Sequence, residues 1–189
     1  DMYRSASKLL IDVYGDEVAR NVLAEVDKAL RSVLSRLTYS DQEVLADYIY
    51  AKYVAPRIKE EAQRRLTGAS EDERKVLAAG SAIIVRGLRD EKLMRYGDLS
   101  VYKDNKGAVR VSSTDLDYFS RAVSIVLESE VLDARAVFSK YLLGVSYRYS
   151  TRRYPNNYVL ELFPDAVPLV ESLAAELPRY VQIPDKQAL

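Results

Sequence analysis

Between Ala134 and Leu160 the chain carries five cations, Arg135, Lys140, Arg148, Arg152 and Arg153, and no acid. The whole chain is formally neutral, with 28 Lys+Arg against 28 Asp+Glu, so the excess is local. Tyr147, Tyr149, Tyr154 and Tyr158 are interleaved with these cations. Guanidinium groups bind phosphate through two parallel hydrogen bonds, and tyrosines add hydroxyl donors and stacking faces. The chemistry open to this stretch is contact with a nucleic acid. A competing reading is structural: basic hairpin tips keep sheet edges soluble, and alternating Tyr is ordinary strand chemistry. A third is a hairpin that docks another protein.

Other chemistry is narrowed by what is missing. There is no Cys and no His among the 189 residues. Thiol and imidazole catalysis, zinc–thiolate sites and disulfides are therefore excluded. A metal would have to be held by carboxylates alone, as Mg²⁺, Mn²⁺ or Ca²⁺ are. Asp115 and Asp117 have the spacing of a metal pair, but Ser113 and Thr114 precede them and an apolar helical period follows. Acids at a helix N-terminus favour the dipole, which is the simpler reading. Gly80-Ser81 followed by Asp98 resembles part of a nucleotidyltransferase pattern, but position 100 is Ser and Gly80 lies inside a helical period. No phosphate loop or dinucleotide fingerprint is present. The expectation is a non-enzymatic protein without a cofactor. No window approaches ~18 apolar residues, so no membrane span is expected. The lack of Cys fits a cytoplasmic protein. Eighteen Arg against ten Lys, with few Asn, Gln and Met, fits a thermophilic or archaeal one.

The elements that position the basic stretch follow from periodicity. Residues 4–14 read as a short amphipathic segment. A long helix is expected over 17–37, with Val18, Val22, Val26, Leu30, Val33 and Leu37 on one face. That stripe needs a partner, either a neighbouring helix or a second copy of the chain, which makes 17–37 a candidate homodimer surface. Ser40 and Glu43 have capping-box spacing before a helix over 41–66, which Pro56 should kink or split. Tyr48, Tyr50 and Tyr53 with Lys52, Arg57 and Lys59 read as amphipathic packing with solvated charges. Ser70 and Glu73 are a second capping box, before a helix over 71–95. Gly80 and Gly87, one heptad apart in it, predict a close backbone crossing.

At Gly97 the pattern changes. A hairpin over 99–111 turns at Asn105-Lys106-Gly107. A helix is expected over 115–128, a turn over 129–133, a short helix over 134–143, strands over 145–150 and 157–163, and a last helix near 166–177. The tail 179–189 should be extended. The expected fold class is mainly α with two small β-hairpins. The domains would be a helical bundle over 1–97 and an α+β half over 98–178.

Residues 115–163, read as helix, turn, helix and basic hairpin, resemble the winged helix-turn-helix superfamily in element order. The resemblance implies that 134–143 is a recognition helix and 146–162 the wing. Arg135, Ser139 and Lys140 would then face a groove, and Arg152 and Arg153 would meet phosphates. Tyr147, Arg148, Tyr149 and Tyr154 complete the expected nucleic-acid-binding set, with DNA ahead of RNA as ligand. The chain departs from the pattern in having a full hairpin where a single strand is usual, and few polar residues on the recognition helix. The alternative is a structural or scaffold subunit of a protein or viral assembly, docking partners through its apolar helices.

Overall fold

The computed structural model describes residues 16–17, 19–21, 24–25, 38–89, 99–105 and 107–182. Residues 16–17, 19–21 and 24–25 are helical. The rest of 17–37, and with it the proposed dimer stripe, lies outside the described residues. So do the segment expected at 4–14, the end of the helix expected at 71–95 and the last residues of the tail.

The chain divides into two compact units, Asp1–Arg64 and Arg65–Leu189. In the first, α1 runs over Tyr39–Ile49 and leads through a π-helical turn over Tyr50–Val54 into α2, Ala55–Thr67, whose last three residues belong to the second unit. Thr38 caps α1, where Ser40 was expected: its Oγ1 accepts from Asp41 N at 3.2 Å. Pro56 has no N–H to continue the ladder, and the chain widens one turn before it, with Ala55 N donating to Tyr50 O. Tyr50 is buried, whereas Tyr48 and Tyr53 are exposed and flank the Lys52 ammonium.

The second unit is built around α3, Glu71–Arg89. Its start is the expected capping box: Glu73 N donates to Ser70 Oγ at 3.1 Å, and Ser70 N to Glu73 Oε1 at 3.2 Å. Every residue from Val76 to Ile84 is buried, so the helix is enclosed on all sides in its middle. It packs against β1 (Ser100–Lys103), α4 (Tyr118–Leu127), α5 (Ala134–Lys140) and α6 (Val167–Ala174). The compact units thus divide at Arg64/Arg65, whereas the sequence pattern changes at 97/98. The run of Ala, Gly and Ser from Ala78 to Ala82 lets neighbours close in on α3, which ties it to the elements after it.

The strands are β1, β2 (Val109–Ser113), β3 (Gly144–Tyr149) and β4 (Asn157–Leu162). They form one antiparallel sheet in the order β1-β2-β4-β3, so the two expected hairpins are joined through β2 and β4. Val109, Val111, Leu160 and Leu162 are wholly buried on one face of it. The first turn closes with Asp104 N donating to Ala108 O and with Gly107 at φ +87°, as its sequence predicts. The helix expected from residue 115 starts at Tyr118, because Asp115 and Asp117 form a turn ahead of it. Asp115 N donates to Ser113 Oγ at 3.1 Å, and Asp117 N to Asp115 Oδ1 at 2.9 Å. The helix expected to end at Gly144 ends at Lys140, and Leu142 takes the left-handed position. Gly144 instead opens β3, where a Cβ would run into the Glu161 carbonyl.

At Gly80 the expected close crossing is made by side chains, not by another backbone. A Cβ there would lie 2.7 Å from Phe138 Cε1 and 3.0 Å from Phe119 Cζ. The two rings meet edge to face at 5.6 Å, and both are fully buried. Alanine improves helix propensity by up to ~1 kcal/mol, but overpacking two immobile rings costs about 1–3 kcal/mol. Gly80→Ala should therefore lower the unfolding free energy by about 1 kcal/mol in denaturant titration. A variant as stable as the parent would mean that the rings can retreat freely.

Candidate nucleic-acid interface

The β3–β4 hairpin brings together six of the nine residues singled out from sequence. Its register pairs Tyr147 with Val159, Arg148 with Tyr158 and Tyr149 with Asn157. Side chains alternate faces along a strand, so Tyr147 and Tyr149 share one face and Arg148 takes the other. The tip is locally closed. Thr151 N donates to Tyr154 O at 2.9 Å, and Tyr154 N donates to Thr151 Oγ1 at 3.0 Å. Ser150 Oγ donates to Pro155 O at 2.6 Å. Arg152 and Arg153 therefore occupy the two corner positions of the turn, and both are exposed. The Arg153 guanidinium lies 5.6 Å from the Tyr154 ring centre, and Arg148 donates to Asn156 Oδ1 at 2.7 Å. Among the described residues no carboxylate pairs with Arg148, Arg152 or Arg153. The hairpin keeps its three positive charges.

The three residues expected on the helix stand differently. Arg135 does not face outward: it is 3% exposed. Its Nη2 donates to Tyr158 O at 2.9 Å, its Nη1 contacts Ser146 Oγ at 3.4 Å, and its guanidinium lies 5.8 Å from the Tyr158 ring centre. Nε is buried with no partner. Burial pulls the guanidinium pKa down, and the charges of Asp133 and Asp117 oppose it. The inward turn is held by the acceptors of the hairpin, while Asp133 caps the start of α5 by accepting from Arg135 N and Ala136 N. Arg135 thus fastens the helix to β3 and β4.

Ser139 is half-buried. Lys140 is exposed, but its ammonium is 2.8 Å from Glu73 Oε2, and Arg65 donates to its carbonyl at 2.9 Å. The Lys140 ammonium, with the Tyr141 hydroxyl, draws the Glu73 carboxyl down to about 2. The last turn of α5 is thereby tied to the first turn of α3, and its one free-looking cation is already matched.

Two further residues reach the same region through the β2–β4 pairing. Tyr102 lies opposite Arg110, and Arg110 opposite Glu161. Arg110 Nε donates to Glu161 Oε1 at 2.8 Å and stands 3.6 Å from Asp104. Glu161 pushes the Arg110 pKa up, against the opposing effect of burial. The hairpin alternation in the sequence marks 102 and 110 as one face, but only the joining of the two hairpins brings them near Tyr147. The Asp115 carboxylate is engaged by Arg121, and among the described residues no group of three acids could hold a metal. No helix among them is long and apolar enough to cross a membrane.

Comparison with protein-family models, curated proteins and solved structures finds no match to this chain.

The placement of Arg135 has a direct consequence. Arg135→Ala should destabilise the fold by about 2 kcal/mol, through lost packing and the stranded Tyr158 carbonyl. It should leave the salt dependence of nucleic-acid binding unchanged, since a guanidinium turned inward meets no phosphate. A shallower salt slope in that variant would put Arg135 back on the binding surface.

Proposed function

We propose that this chain is a non-enzymatic nucleic-acid-binding protein, with DNA ahead of RNA as ligand, acting through the β3–β4 hairpin. The observation that carries the reading is the tip itself. Arg152 and Arg153 sit at the corners of a closed turn, with Arg148 and Tyr154 beside them and no paired carboxylate among the described residues. Charges held this way meet phosphates without first breaking an ion pair, and releasing counterions supplies the binding energy.

The winged-helix reading is supported by element order: α3, β1, β2, α4, α5, β3, β4, with β1 additional to the usual pattern and β2, the strand ahead of the two short helices, pairing with the returning strand of the hairpin. The hairpin then corresponds to the wing. The short α5 is a poor reader of base edges, because Arg135 is turned inward and Lys140 is held by Glu73. Binding is accordingly expected to be governed by the backbone and weakly dependent on sequence.

A second reading, a subunit that docks other proteins, is favoured by one observation. Val44, Tyr48 and Tyr53 are exposed on α1 and the turn after it. Loss of all nucleic-acid binding at low salt would move the weight to that surface.

The double variant Arg152→Ala with Arg153→Ala tests the first reading. It should weaken binding and reduce the slope of log affinity against log salt by roughly 1.5, the contribution of two phosphate contacts. An unchanged affinity and slope would sink the assignment.

A further inference from the structure

The sheet has a second face, opposite the one that carries Val109, Val111, Leu160 and Leu162. Register places Tyr102, Arg110, Glu161 and Val145 in one row across it, and Ser100, Ser112, Val159 and Tyr147 in the next. Tyr149 follows two residues after Tyr147 on the same side. Tyr102 is 43% exposed and Tyr149 is 49% exposed. Tyr147 is half-buried between them; burial raises its pKa first, and Glu161, Tyr102 and Tyr149 are close enough to add to the effect. Three phenol rings thus share this face, Tyr102 beside the Arg110–Glu161 pair and Tyr147 and Tyr149 in the next two rows, with Ser112 and Val159 buried among them.

Resting on the nucleic-acid reading above, we infer that this face is a stacking platform for an unpaired strand. Tyr102, Tyr147 and Tyr149 would take bases while Arg152 and Arg153 hold the phosphates. Charge divides the two tasks. Arg110 is offset by Glu161 at 2.8 Å and Asp104 at 3.6 Å, so the platform offers planar rings rather than free cations. The hairpin tip that continues it offers cations without acids. Exposed rings are useless against a duplex, whose base faces are already stacked, and suit a strand whose bases are free. From β1 to β3 the platform crosses three strand spacings, ~14 Å, which spans a few nucleotides. The inward Arg135 and the matched Lys140 leave α5 without the groove-reading side chains that would favour duplex.

The test compares a labelled short oligothymidylate with a blunt duplex of equal length, at several salt concentrations. The chain has 15 Tyr and no Trp, so quenching of tyrosine fluorescence reports stacking directly. The wild type should bind the single strand more tightly than the duplex, and its fluorescence should fall. Tyr102→Leu with Tyr149→Leu should weaken single-strand binding at least ~10-fold, as the loss of two stacked bases requires. Its salt slope and duplex affinity should not change. Tyr102→Phe with Tyr149→Phe keeps the rings and should bind within ~3-fold of wild type. Both positions are exposed, so neither pair should disturb the fold. Salt-sensitive binding by the wild type that the Leu pair leaves intact would overturn the platform and spare the hairpin reading. A Phe pair as weak as the Leu pair would also overturn it, since hydroxyls rather than rings would then carry the contact. No binding by the wild type to either ligand would overturn both.

Discussion

The absent side chain of Gly80 is the constraint on which the C-terminal unit depends. Phe119 from α4 and Phe138 from α5 both close on that one position of α3, and they meet each other there edge to face. A pocket that admits two rings can exist only where a helix offers no Cβ. Both short helices are thereby held against the same turn of α3. Since α5 leads through Leu142 and Gly144 directly into β3, the position of the hairpin is inherited from this contact. Gly144 repeats the device on a smaller scale, letting the start of β3 lie against the Glu161 backbone.

From that anchor the charges sort themselves by reach. Arg135, one residue into α5, turns inward and binds the hairpin from behind through the Tyr158 carbonyl. Lys140, at the end of the same helix, is taken by Glu73. Both act within the protein, and together they fasten α5 at each end, to the sheet and to α3. A buried guanidinium with an unpartnered Nε gives up solvation, which offsets part of what its packing and hydrogen bonds contribute, and it also fixes the orientation of the hairpin. Among the described residues no carboxylate pairs with the three arginines beyond the helix, and all three are exposed. The five-cation run is therefore two structural cations followed by three at the surface.

Much of this was legible in the sequence. The Ser70–Glu73 capping box, the Gly107 turn and the conspicuous Gly80 follow from local rules that the structure obeys, and the strands expected at 145–150 and 157–163 lie within a residue of those observed at 144–149 and 157–162. What local rules could not supply is pairing. Nothing in the alternation of 99–111 or of 144–163 says that β2 will lie beside β4, and that single pairing joins two hairpins into one sheet and brings Arg110 and Tyr102 toward Tyr147. The direction of Arg135 was likewise hidden. On a helix of seven residues, the four-residue spacing from Arg135 to Ser139 defines a face but not which way it looks, and the acceptors that Arg135 meets, Tyr158 O and Ser146 Oγ, are brought to it only by the fold. That α3 packs with elements after it was hidden for a related reason. Its apolar content marks it as buried, while its partners α5 and α6 lie far downstream.

The most direct measurement is fluorescence anisotropy of labelled single-stranded DNA against the purified wild-type chain across a salt series. Three arginines that pair with no carboxylate among the described residues should give saturable binding that weakens linearly in log salt, with a slope of about −2 for a single strand. Absence of binding at low salt, or binding indifferent to salt, would contradict the account and make Arg148, Arg152 and Arg153 ordinary surface charges.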